Sequence, residues 1–306
     1  MKNILVTGAS GLLGLNMSLI LARESAVTGV IHQDELQGVP YPVIVADLSQ
    51  KGEAEKIIDR IHPDLIIHTA ALANVDACED QPRRAEEVNA ILPGKMAKLA
   101  KRYSIPLIHV STDAVFDGRT GNYTEGQAAH PLSVYAKTKY QGELNVSSEN
   151  PRAIIARVNF YGWSLRGDRS LAELFTKKLL AGEPVNGFTD VFFCGLYVAQ
   201  LITILMEMLA KDLSGLYHTV SSQAISKFDF GRAVAREFGL EENLVIPISV
   251  MEAGLKAVRS PNLTLDTSKL AEALGHNLPD QSEGLKQFHE MYRQGYPQTL
   301  RNYLKE

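Results

Sequence analysis

Short apolar runs alternate with amphipathic segments through the first half of the chain. Residues 4–6, 27–31, 43–45, 65–67, 107–110 and 154–158 are largely apolar along their length. That pattern predicts strands buried on both faces, as in a parallel sheet. Between them lie segments of helical period, the clearest at 85–103, where Val88, Ile91, Leu92, Met96, Leu99 and Tyr103 recur on one face. Pro93-Gly94 should kink or split that helix. Strand and helix repeated in this way predict an α/β fold with a doubly wound parallel sheet of the Rossmann type.

After Val158 the alternation weakens, and glycine, serine and arginine crowd residues 162–170, which read as a crossover. Helical patterns follow at 171–180, 197–210, 227–237 and 267–274. The expected organisation is a nucleotide-binding domain over residues 1–160 and a smaller, mostly helical substrate-binding lobe over 161–306. A segment near 195–215 is expected to return to the sheet.

Composition narrows the class. Of 306 residues 45% are hydrophobic and 22% charged, enough for a substantial core. The formal charge is -4 with no basic tract, which argues against nucleic acid as a partner. The two cysteines, Cys78 and Cys194, form no metal-ligand spacing, so no metal is expected and a reduced cytoplasm fits best. No apolar stretch reaches the roughly 20 residues needed to span a bilayer.

The first apolar run leads directly into Thr7-Gly8-Ala9-Ser10-Gly11-Leu12-Leu13-Gly14 and then a helix. In that setting Gly8 supplies a positive φ, Gly11 lets backbone N–H groups approach a pyrophosphate, and Gly14 brings helix and strand together. An acid that would hold a ribose 2′-OH is expected about 20 residues on. The chain there reads Val30-Ile31-His32-Gln33, with Asp34 and Glu35 only afterwards. His32 at the acid position tilts the cofactor toward NADP(H), with NAD(H) as the alternative, although no arginine stands nearby in sequence to hold a 2′-phosphate.

Tyr135 and Lys139 form a YxxxK pair one helical turn apart. With 11 tyrosines in the chain, roughly half such a pair is expected by chance, so the spacing alone is weak. Its chemistry is a phenol able to exchange a proton, tuned by an adjacent ammonium. Thr112, or failing it Ser111, supplies a hydroxyl at the end of a strand, where open α/β sheets bind ligands. A hydroxyl there could equally cap a turn.

Taken together, TGASGLLG at 7–14, HPDLIIHTAA at 62–71, NVDACEDQPRRAEEVNA at 74–90, VSTDAVFDG at 110–118, YAKTKYQGE at 135–143 and LDTSKLAEALG at 265–275 resemble the extended short-chain dehydrogenase/reductases, in their dTDP-4-dehydrorhamnose reductase branch. The resemblance implies a catalytic triad of Thr112, Tyr135 and Lys139. It also implies cofactor contacts from Gly8, Ser10, Gly11, Leu13, Gly14, Asp47, Leu48, Ala70, Ala71 and Asn89. Asp47 could instead be a helix N-cap. Substrate contacts would come from Asp113, Asn159, Phe160 and Arg259, the last with a solvated surface arginine as the equal alternative. Departures cluster where substrate should sit: Ala114 replaces a tyrosine, Phe160 a tryptophan, and residues 190–196 diverge.

The implied activity is an NAD(P)H-dependent reduction of a nucleotide-linked 4-keto-6-deoxy sugar, with a homodimer left open. Rival readings are an epimerase or dehydratase of the same superfamily, or a non-catalytic NADP-binding regulatory subunit resembling the methionine adenosyltransferase β-subunit.

Overall fold

The computed structural model describes residues 2–252 and 260–305. Arg259 therefore lies outside the described residues. Seven strands form one sheet: β1 (Asn3–Thr7), β2 (Ala26–Ile31), β3 (Val43–Val45), β4 (Leu65–His68), β5 (Leu107–Thr112), β6 (Ile154–Val158) and β7 (Gly215–Thr219). All pair in parallel, in the order β7-β6-β5-β4-β1-β2-β3. The chain therefore winds outward in both directions from β1 and β4, and the crevice at that reversal is where such sheets take ligands.

The apolar runs work on two faces at once. Ile4, Val6, Leu65, Ile67, Ile108, Val110, Ile154 and Ala156 face one core with α1 (Leu12–Leu21) and α8 (Val198–Ala210). Leu5, Val30, Ile66, Leu107 and Ile155 face another with α2 (Glu53–Ile61), α5 (Leu92–Arg102) and α6 (Val134–Glu149). Residues one apart thus serve opposite layers, the period-two rule of a strand.

The helical pattern at 85–103 does split. It comprises α4 (Pro82–Glu86), a π-helical turn at Glu87–Ile91, and α5, with α3 (Val75–Asp80) just before it. Pro93 has no N–H to continue the ladder, so the Asn89 carbonyl four residues back loses its helical donor, and the neighbouring Ala90 carbonyl is held from outside the helix. The Asn145 side chain of α6 donates to Ala90 O at 2.9 Å there. A Cβ on Gly142 of α6 would stand 2.2 Å from Asn89 O, so glycine permits the contact.

Strand β7 was not foreseen in sequence. It sits at the sheet edge, and its first two residues are only half-buried, so its apolar run is short. Beyond the sheet lie α7 (Leu171–Leu180), α9 (Lys227–Glu237), α10 (Ser268–Leu274), α11 (Gln281–Arg293) and α12 (Tyr296–Asn302). Trp163 stacks on Phe288 of α11 at 4.0 Å and donates to its carbonyl at 3.0 Å. Tyr296 donates to Asn16 of α1 at 2.9 Å, so the last helices are pinned to the first. One continuous apolar cluster contains both Ile4 of β1 and Phe288 of α11.

Candidate active site

The glycine loop is shaped as its residues require. Gly8 has φ +72°, and a Cβ there would lie 2.8 Å from the Ala70 backbone. A Cβ on Gly14 would meet Gly8 O at 2.2 Å, which excludes any side chain. Gly11 differs: its Cβ would touch only Gly8 O, at 3.2 Å, and otherwise enter open space. Helix α1 begins there with no side-chain cap and no acid in its first turn. Its unpaired N–H groups and positive dipole end face a cradle that a bare glycine leaves open, a fit for a pyrophosphate. Ser10 and Leu13 belong to the same turn, Ser10 half-buried and Leu13 buried.

At the adenosine end, His32 follows β2 and its Nε2 lies 3.8 Å from Asp47 Oδ2. Asp47 is not a helix N-cap: α2 starts at Glu53, capped by Gly52. Its carboxylate instead accepts from the Ser49 amide at 3.0 Å and hydroxyl at 2.7 Å, because a short turn intervenes before the helix. Burial opposes ionisation, but these bonds and one from Arg84 hold Asp47 well below the usual carboxylate range. Leu48 is buried beneath the turn. Arg84 of α4, which sequence spacing did not bring near this position, donates to Asp47 at 3.0 Å and Ser49 at 2.7 Å.

Ala70 and Ala71 follow β4 beside the glycines. Asn89 is fully buried and clamps this segment, accepting from Leu72 N at 2.9 Å and donating to Leu72 O at 3.1 Å. It shapes the wall of the crevice as well as lying beside it.

Thr112 and Tyr135 of the implied triad meet at the C-terminal end of β5, and Lys139 reaches the same strand two residues earlier, at Val110. Ser133 caps α6 by accepting from Ala136 N, which starts the helix one residue before Tyr135. The Thr112 hydroxyl accepts from Ala114 N at 3.2 Å, so it does cap a turn, and it also adjoins the Tyr135 phenol. Burial pushes that phenol up to about 12, with Thr112 pulling the other way and the Asp113 carboxylate adding to the rise. Tyr135 therefore holds its proton. Lys139, 3% exposed, donates to Val110 O at 2.6 Å. Burial pulls its ammonium down to about 8, against the attraction of Glu143. Two imidazoles, His68 and His109, stack beside it with ring centres 5.5 Å apart. Burial and the Lys139 charge keep both neutral, His68 at about 3.

Ser111, the fallback hydroxyl, donates to Glu143 at 2.5 Å and is committed there. Glu143 also takes a bidentate pair from Arg157 of β6, with contacts of 3.0 and 2.8 Å, and Arg157 lies over the Phe116 ring at 4.9 Å. This buried pair binds α6 to the sheet one turn beyond Lys139. Isolated residues of opposite charge 14 positions apart carried no sequence signal for it.

A cavity of about 110 Å³ opens against Tyr135, with Ala114, Asn159, Phe192 and Lys227 among its walls. Asn159 donates to Asp113 at 2.6 Å. Burial lifts Asp113 to about 6, opposed by its bonds from Asn159 and Thr112 and by the charge of Lys227. Phe160 is not one of the walls; its backbone pairs with Leu196 instead. Lys227, the first residue of α9, was missed in sequence because nothing in its surroundings distinguishes it from a surface lysine. Among the described residues no group of His, Cys, Asp and Glu could hold a metal ion, and no helix is long and apolar enough to cross a membrane.

The model of the family described as the RmlD substrate binding domain matches residues 1–294. The chain belongs to this family. Within it, a probable low-salt glycan biosynthesis reductase, Agl14, of Haloferax volcanii is 33% identical over 286 residues, covering 92% of this chain and 95% of its relative. Methionine adenosyltransferase 2 subunit beta of Pongo abelii is 30% identical, covering 90% and 83%. A solved structure of a hypothetical dTDP-4-dehydrorhamnose reductase from Sulfolobus tokodaii superposes with a TM-score of 0.81 at 27% identity, covering 93% of this chain and 99% of that one. The RmlD family member described here thus shares its fold with a hypothetical dTDP-4-dehydrorhamnose reductase and sequence similarity with both a probable reductase and a methionine adenosyltransferase subunit.

Proposed function

We propose that this chain is an NAD(P)H-dependent reductase of a nucleotide-linked 4-keto-6-deoxy sugar, resembling dTDP-4-dehydrorhamnose reductase. The single observation that carries the reading is the buried Tyr135 phenol beside the Thr112 hydroxyl, facing a cavity at the ligand-binding end of the sheet. The glycine cradle at 8–14 and the adenosine-end residues would hold the cofactor, NADPH by preference, which when bound supplies the hydride. Tyr135 then gives its proton to the carbonyl oxygen as charge develops there, and Thr112 donates a hydrogen bond to the same oxygen. Lys139, held by Val110 O, keeps a positive charge under the site. Asn159 and Asp113 orient the sugar, and Lys227 places a cation within reach of an anionic substituent.

Residues 1–160 serve as the cofactor domain in this reading and 161–306 as the substrate lobe. The two free, buried cysteines suit a reducing cytoplasm.

The similarity to a methionine adenosyltransferase subunit favours a second reading, cofactor binding without turnover. The presence of Thr112, Tyr135 and Lys139 together at one strand end supports the enzyme. Following NADPH absorbance with a panel of nucleotide-linked 4-keto sugars separates them: oxidation with at least one sugar is expected, and binding without oxidation across the panel would favour the subunit.

A further inference from the structure

The cofactor reading left one question at the end of β2, where a carboxylate would bind the 2′-OH of NAD and repel the 2′-phosphate of NADP. Two acids follow His32, and the fold removes both. Asp34 pairs with Arg166 at 2.9 Å, with Arg169 also near, and Glu35 pairs with Lys305 at 2.5 Å. Leu36 bridges to Leu304, and the Gln37 amide donates to Tyr303 O at 2.8 Å. The segment carrying the acids is thereby laid onto the C-terminal tail.

Two basic side chains border the vacated position and share the Asp47 carboxylate between them. His32, half-exposed, stands 3.8 Å from Asp47 Oδ2, and the Arg84 guanidinium meets that same oxygen at 3.0 Å, offsetting the carboxylate charge. Arg84 reaches the turn after β3 from α4. An arginine has five N–H donors. Those of Arg84 bonded among the described residues go to Ser49, Glu87 and Asp47, one each. Nε–H and one Nη2 hydrogen have no partner among the described residues, and the side chain is 29% exposed. The surrounding bonds hold the planar fork in place, which lowers the ordering cost of meeting a phosphate. Lys95 donates to Ser49 O at 3.2 Å and adds positive charge to the same turn.

We infer that Arg84, with His32, forms the seat of the cofactor's 2′-phosphate and makes this chain select NADPH over NADH. The inference rests on the reading that the glycine loop binds a dinucleotide. It adds an assignment that sequence spacing concealed, because Arg84 is 52 positions beyond His32 and arrives through the fold.

The test is equilibrium binding of 2′,5′-ADP and 5′-AMP, followed by calorimetry on the full chain, since the two nucleotides differ only by that phosphate. The wild type should bind 2′,5′-ADP more tightly than 5′-AMP by on the order of ten-fold or more. Arg84→Gln should erase most of that difference and leave 5′-AMP affinity within about two-fold. Arg84→Lys, which keeps the charge but loses the fork, should fall between them. Equal loss for both nucleotides in Arg84→Gln would mean that Arg84 only positions Asp47, and unchanged binding of both would mean that it does nothing here. Either result overturns the inference while sparing the dinucleotide site. A wild type that binds 5′-AMP as well as 2′,5′-ADP overturns it without any variant, and a wild type that binds neither sinks the cofactor reading and this inference together.

Discussion

Lys139 donates its ammonium to the carbonyl of Val110 at 2.6 Å, so the base of the site is tied to β5 rather than left free in the crevice. The sequence suggested that this lysine tunes Tyr135. Burial dominates the phenol, and at His68 and His109 the Lys139 charge adds to burial in keeping the imidazoles neutral.

That buried ammonium has a pH signature. Its affinity for the proton is lowered in the fold to about 8 from 10.5, so between those values the unfolded chain binds more protons and stability rises with pH. Wild type should therefore gain on Lys139→Met as pH is raised through that window, read as urea midpoints. Activity should move the other way, with kcat/KM declining above pH about 8 as the charge is lost. A wild-type profile flat to pH 10 would count against a charged Lys139 in turnover.

Asp113 gives the opposite sign. Its folded value is raised to about 6 from 3.8, so stability is lost as pH rises between these values, where the folded chain holds the proton longer. Asp113→Asn, which keeps an oxygen to accept from Asn159, should gain on wild type over that range by on the order of 2–3 kcal/mol. A wild-type-to-variant difference in unfolding midpoint that is equal at pH 4 and pH 7 would show that the carboxyl is not strained by burial.

The three glycines separate by what surrounds them. Gly14→Ala should unfold or strongly destabilise the chain, because a Cβ meets Gly8 O at 2.2 Å. Gly11→Val should keep the fold, since its side chain enters open space, yet abolish dinucleotide binding by filling the cradle. Thermal melts with and without NADPH distinguish the two, and undiminished cofactor affinity in Gly11→Val would place the phosphates elsewhere.

Breaking the buried Arg157–Glu143 pair should cost about 3–5 kcal/mol, because it strands a charge at 3–4% exposure. Arg157→Met is the variant to unfold in urea. A loss below about 1 kcal/mol would mean that α6 is held on the sheet by apolar packing alone.

The six strands of the first half were legible because each is apolar on both faces, and the glycine loop because it lies between the first strand and the first helix. Strand β7 was not, since an edge strand whose first two residues are half-buried and whose last two are His218 and Thr219 has too little apolar signal. The proposed triad of Thr112, Tyr135 and Lys139 came from the family resemblance, because the spacing of Tyr135 and Lys139 alone is a weak signal. Arg84, Lys227 and the Glu143–Arg157 pair could not be read, because each acts with a partner remote in sequence, and only the winding of the chain brings them together. Phe160 shows the converse: the family resemblance implied a substrate contact there, but its backbone pairs with Leu196 and its side chain is not among the walls of the cavity beside Tyr135.

The central claim is that Tyr135 delivers the proton, and Tyr135→Phe tests it most directly because the change removes one oxygen. On any nucleotide-linked 4-keto sugar that the wild type reduces, single-turnover measurement of NADPH oxidation should show the variant slower by a factor on the order of 10² or more, with NADPH affinity nearly unchanged. Full activity in Tyr135→Phe would contradict the account.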